Sequence, residues 1–67
     1  MREFRLPTAE GRKSMTIAQL EQTLDEFNYW YMVNEEGMTI SKAEKELRRI
    51  DDFEAYIYSR KLCDLCR

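Results

Sequence analysis

Histidine is missing from this chain altogether. The side chain most often used for general acid–base work is therefore unavailable. Glycine occurs only twice and proline once. No glycine-rich phosphate loop, nucleophile elbow or zinc-protease motif is present. The two cysteines, Cys63 and Cys66, stand together at one end of the chain. A pair placed so cannot staple a fold, which argues against a secreted, disulfide-held protein. No apolar run approaches the roughly 18–20 residues that a membrane-spanning helix needs. Nor does the N-terminal stretch carry the apolar core of a signal peptide. These absences set the expectation of a soluble, cytoplasmic protein that is not an enzyme and uses no cofactor.

What remains is a helical composition. Of 67 residues, 43% are hydrophobic and 36% charged, which is too apolar for an obligately disordered chain. A single domain of this size buries little surface and usually needs a staple or a partner. The charge is unevenly spread. Residues 1–14 hold Arg2, Arg5, Arg12 and Lys13 against Glu3 and Glu10. Residues 15–36 hold Glu21, Asp25, Glu26, Glu35 and Glu36 and no base, while residues 41–61 mix the two signs. An acidic first helix beside a partly basic second one suggests complementary pairing, within the chain or between chains.

The organising stretch is Asn34-Glu35-Glu36-Gly37-Met38-Thr39-Ile40-Ser41. Gly37 suits the left-handed conformation that commonly ends a helix. Ser41-Lys42-Ala43-Glu44 fits a capping box that would start the next one. One uninterrupted helix through Gly37 is the competing possibility, since a mid-helix glycine costs only about 1 kcal/mol. A second capping box, Thr16-Ile17-Ala18-Gln19, opens the first helix, with Met15 and Leu20 placed as a hydrophobic staple. From there Ile17, Leu20, Leu24, Phe27 and Tyr31 share one narrow face at about 100° per residue. In the second segment, expected from about Lys42 to Leu62, Ala43, Leu47, Ile50, Phe53 and Ile57 form the matching stripe. Short connections join antiparallel neighbours. The expected fold is thus all-α: a two-helix antiparallel hairpin over residues 15–62, dimerising into a four-helix arrangement. Residues 1–14 form a flexible N-terminal arm and residues 63–67 a short tail.

The second half of helix one has more apolar surface than one neighbour can cover. Tyr29 and Val33 lie nearly opposite Leu20, and Trp30 and Met32 flank the seam. Such patches mark interfaces, and Trp and Tyr carry much of the binding energy there. Tyr29, Trp30, Met32, Val33 and Tyr56 are the candidate partner interface. Alternatively the arm folds back, through Phe4 and Leu6, to cover the patch. On helix two, Lys42, Lys45, Arg49, Tyr56 and Arg60 fall within a band of roughly 60°. The four cations Lys42, Lys45, Arg49 and Arg60, together with the basic arm, are candidate contacts to nucleic acid. The same band could pair with an acidic helix of a second molecule or simply face water. The arm itself is either a phosphate-touching element, a frayed terminus, or a leader ahead of a second start at Met15. Cys63 and Cys66 form one CxxC. Without a βαβ context it is no redox motif. Zinc takes four ligands, so only a dimer could assemble a site from Cys63 and Cys66. Two reduced thiols at a helix end are the plainer alternative.

Length, two capped helices and a short turn over residues 16–62 resemble the small helical-hairpin accessory proteins of plasmids and phages. These include Rop-like hairpins and the short proteins encoded between the exonuclease and excisionase genes of lambdoid phages. The resemblance implies a non-catalytic regulator acting by contact: a homodimer that binds a host or cognate protein. A nucleic-acid-binding regulator is the alternative.

Overall fold

The computed structural model describes residues 3–65, and no strand occurs among them. Three α-helices follow in order: α1 Ala9–Lys13, α2 Ile17–Asn34 and α3 Ile40–Leu65. A 3-10 turn, Glu35–Gly37, joins the last two.

Helix α2 begins where its capping box predicts. Gln19 N–H donates to Thr16 Oγ1 at 3.1 Å, and Thr16 N–H donates to Gln19 Oε1 at 2.9 Å. Two amide donors that would otherwise be orphaned are thereby satisfied reciprocally. At the far end, Asn34 Nδ2 donates to the Trp30 carbonyl at 2.8 Å, and the chain tightens into the 3-10 turn.

The start of α3 differs from expectation. Its cap is Thr39, not Ser41: Lys42 N–H donates to Thr39 Oγ1 at 3.2 Å and Ala43 N–H to the Thr39 carbonyl at 2.9 Å. Thr39 has Lys42, not an acid, three residues on, so its hydroxyl caps without a reciprocal carboxylate, the tight 3-10 turn having brought it into place. Gly37 is not left-handed, since no glycine in the described residues has positive φ. Its role as a breaker is replaced by turn geometry, in which Met38 N–H donates to the Glu35 carbonyl at 3.1 Å. At its other end α3 continues through Cys63, Asp64 and Leu65. The expected tail is helical as far as described, and the two long helices are unequal, at 18 and 26 residues.

The pair is antiparallel. Leu20 packs with Phe53 and Ile57, Phe27 lies against Arg49, and Lys61 pairs with Glu21 at 3.3 Å. As α2 advances, its partners on α3 therefore fall back along the chain. Leu20, Phe27, Ile50, Phe53 and Ile57 are buried. Leu47, expected in this seam, is instead 45% exposed, and the neighbouring Glu46 is the buried side chain.

Residues 3–14 are laid over the hairpin as a strap, not a flexible arm, which is the fold-back through Phe4 and Leu6 that the sequence offers as the alternative. Phe4 stacks on Phe27 with ring centroids 4.8 Å apart, and Leu6 and Met15 pack on the core around Leu20, Phe53 and Ile57. The strap ends in α1, capped by Thr8, whose Oγ1 accepts from Gly11 N–H at 3.0 Å. Gly11, which by sequence breaks the helical pattern, sits inside this helix. A Cβ there would lie 3.1 Å from Thr8 Oγ1, so a bare glycine lets the cap close. Burial of Phe4 and Leu6 gives the hairpin the extra apolar layer that two helices alone lack.

Candidate functional site

The cationic band of α3 is the face on which the strap is laid. Arg49 Nη1 donates to both carboxylate oxygens of Glu46, at 3.1 and 2.9 Å, and its Nη2 donates to the Phe4 carbonyl at 3.0 Å. The same guanidinium stands 5.2 Å from the centroid of the Phe27 ring. Arg60 donates to the Arg12 carbonyl at 3.2 Å, to the Met15 carbonyl at 3.0 Å and to Tyr56 Oη at 3.4 Å. Lys42 pairs with Glu3 at 3.3 Å. The carbonyls of Phe4, in the extended piece, and of Arg12 and Met15, at the end of α1 and just past it, are backbone acceptors that these donors reach. The guanidinium supplies several N–H groups in a fixed fork, which suits that task.

Of the candidate nucleic-acid contacts, Lys42, Arg49 and Arg60 are thus engaged within the chain, and Lys45 remains exposed. Tyr56, a candidate interface residue, is turned to internal use. It packs on the core cluster, and the Arg12 guanidinium lies 4.1 Å from its ring centroid. Trp30 is half-buried, its ring 5.9 Å from Phe27 and 6.2 Å from Phe4. The fold-back of Phe4 therefore covers one flank of the aromatic patch. It leaves Tyr29, Met32 and Val33 at 66%, 65% and 60% exposure. Steps of three and four residues from Tyr29 place these side chains together on the outer surface of α2.

A second exposed feature was not singled out from sequence. On the side of the hairpin away from the strap, the crease between α2 and α3 is an open groove of about 620 Å³. Leu24, Ile57 and Tyr58 line its apolar part, and Glu21, Asp51 and Glu54 supply acidic groups. Its one lysine, Lys61, is paired with Glu21. The sequence signal was available: Leu47, Asp51, Glu54, Tyr58 and Leu62 recur at three- and four-residue steps beside the buried stripe.

Cys63 is an exposed free thiol on α3, and Cys66 lies outside the described residues. Among the described residues no group of three or more His, Cys, Asp or Glu side chains is placed to hold a metal ion. Nor, among the described residues, is any helix long and apolar enough to cross a membrane. No protein-family model, curated protein or solved structure matches the chain, so the reading of its surface rests on the geometry above.

Proposed function

We propose that this protein is a non-catalytic interaction module that works by contact. It self-associates through the outer face of α2, so that two hairpins come together in a four-helix arrangement, and it presents its remaining surface to another protein. The observation that carries this reading is the cluster Tyr29, Met32 and Val33, still exposed after the strap has covered the flank at Trp30. Large side chains clustered at helical spacing on an open face have no role in the hairpin's own core. Their burial against a second chain is worth roughly 1.5–3 kcal/mol each. A cytoplasmic regulator or accessory protein of the phage or plasmid kind fits the hairpin architecture. The strap goes beyond that likeness.

Sedimentation equilibrium tests the proposal. The wild-type chain is expected to be dimeric at micromolar concentration. Combined Tyr29→Ala and Val33→Ala replacement is expected to weaken the dimer by at least about a hundredfold, from two such side chains. A chain that stays monomeric at every accessible concentration would sink the self-association. The nucleic-acid alternative is the less favoured one: Lys42 pairs with Glu3, Arg49 with Glu46 and the Phe4 carbonyl, and Arg60 with the Arg12 and Met15 carbonyls, which leaves Lys45 exposed. It would regain ground only if binding to DNA or RNA appeared at low salt and fell steeply as salt rose.

A further inference from the structure

We infer that the groove between α2 and α3, on the side away from the strap, is a docking site for a basic amphipathic helix of a partner protein. The inference rests on the reading of this chain as an interaction module, but not on its dimerisation. Three observations carry it.

First, the two sides of the hairpin are treated differently by its own chain. One crease is filled by the strap, and the other, of about 620 Å³, is left open. Secondly, the open side has a linear apolar pattern. Leu47, Tyr58, Leu62 and Leu65 are 45%, 64%, 46% and 80% exposed along one flank of α3, with Leu24 half-buried across the crease on α2. From Leu47 to Leu65 the strip runs about 27 Å at ~1.5 Å per residue, the length of a helix of about 18 residues. A helix laid in a groove reads such a strip through residues at steps of three and four.

Thirdly, the charge chooses the occupant. Between Leu47 and Tyr58 the strip is interrupted by Asp51 and Glu54, neither of which has a cation partner among the described residues. The groove's own lysine is spent on Glu21, and Arg48 stands on the next row outward. A second copy of this chain would bring the same acidic pair against itself across a two-fold axis, which costs stability. Nucleic acid and anionic lipid are repelled for the same reason. A helix with apolar residues at its ends and lysine or arginine in its central turn meets both the apolar and the acidic parts of the strip.

The test uses the full chain and three synthetic peptides of about 18 residues. One is an amphipathic leucine–lysine helix. The second has every lysine replaced by glutamate. The third has the first peptide's composition in scrambled, non-amphipathic order. Titrations are followed by fluorescence anisotropy of labelled peptide and by amide chemical shifts of the protein. The lysine helix is expected to bind at least tenfold more tightly than either control, shifting the amides around Leu24, Asp51, Ile57 and Tyr58. The Asp51→Lys, Glu54→Lys double variant is expected to reverse the preference toward the glutamate helix. Both positions are exposed and outside the core, so the fold is retained, and helical circular dichroism checks that.

Equal binding of the scrambled peptide would overturn the inference, as would shifts confined to the strap or to Tyr29 and Val33, or no binding at all. Loss of the homodimer on Tyr58→Ala would also overturn it, by showing that a second copy fills the groove. A monomer that binds the lysine helix contradicts only the self-association. A dimer sensitive to Tyr29 that ignores every peptide contradicts only the groove.

Discussion

At the scale of single residues, Phe4 and Glu46 decide how the strap is held. The Phe4 ring lies nearly parallel to Phe27, with an interplanar angle of 11°. Phe27 is itself fully buried beneath it. Replacing Phe4 with alanine removes a half-buried ring and an aromatic pair. Urea denaturation is expected to show a loss of about 2 kcal/mol. The emission of Trp30 should move to longer wavelength as its neighbour leaves. An unchanged midpoint and unchanged emission would mean that the strap is not seated in solution. Glu46 is 3% exposed and its carboxylate takes two N–H bonds from Arg49, which in turn donates to the Phe4 carbonyl. The pair orients the guanidinium toward the strap. Glu46→Ala leaves Arg49 with one partner fewer in a partly desolvated place, at an expected cost of about 2 kcal/mol. Glu46→Gln, which keeps an acceptor and the volume, is expected to cost less. Equal stability of all three proteins by denaturant titration would show that the bidentate pair carries no weight. The fold-back of Phe4 over the aromatic patch is one of the two readings the sequence offers, whereas the role of Glu46 is not legible there. Glu46 looks like any polar residue of an exposed helical turn until something covers Arg49. What covers it comes from 45 residues away in the chain.

Among the elements, the local signals were legible and the long-range ones were not. The Thr16–Gln19 capping box needs only its own four residues, and it appears where the pattern puts it. Of the seam residues that periodicity selects, Leu20, Phe27, Ile50, Phe53 and Ile57 are the buried apolar ones, whereas Leu47 is exposed. At the turn two hydroxyls, Thr39 and Ser41, lie within three positions; the capping-box pattern favours Ser41, with Glu44 three residues on, but the 3-10 geometry places Thr39 as the cap. Replacement separates them. Thr39→Ala is expected to lower stability by about 1 kcal/mol, whereas Ser41→Ala should change it little. Gly37→Ala belongs to the same set. With φ negative and no atom within 4 Å of an added Cβ, alanine there is expected to be neutral or to stabilise by about 0.5 kcal/mol. Thermal melts of the three variants check the order, and a marked loss from Gly37→Ala would return the left-handed helix stop. The cationic band of α3 was correctly grouped by its angle on the helix, but its purpose was hidden. A stripe of arginines is equally suited to phosphates, to carboxylates and to backbone carbonyls of a neighbouring segment. Only the placement of residues 3–14 distinguishes them.

As a whole the molecule is a rod, 44 × 18 × 16 Å, with a radius of gyration of 13.1 Å. A compact chain of this length would have about 11 Å. The elongation follows from α3, whose 26 residues span about 39 Å, and from the lateral placement of everything else beside it. Association through the outer face of α2 sets rods side by side. In small-angle scattering the dimer is therefore expected to thicken while its longest dimension stays near that of one rod. A longest dimension close to doubled would indicate contact through the free end of α3, at Leu62 and Leu65, in place of Tyr29 and Val33. The strap has a further consequence during translation. In order of synthesis the strap precedes the arginines that receive it, Arg49 and Arg60, which emerge only after the turn has been made. The strap therefore cannot take its seat until α3 has been made, and until then Phe27 is open to whatever chaperone or sister chain is nearest.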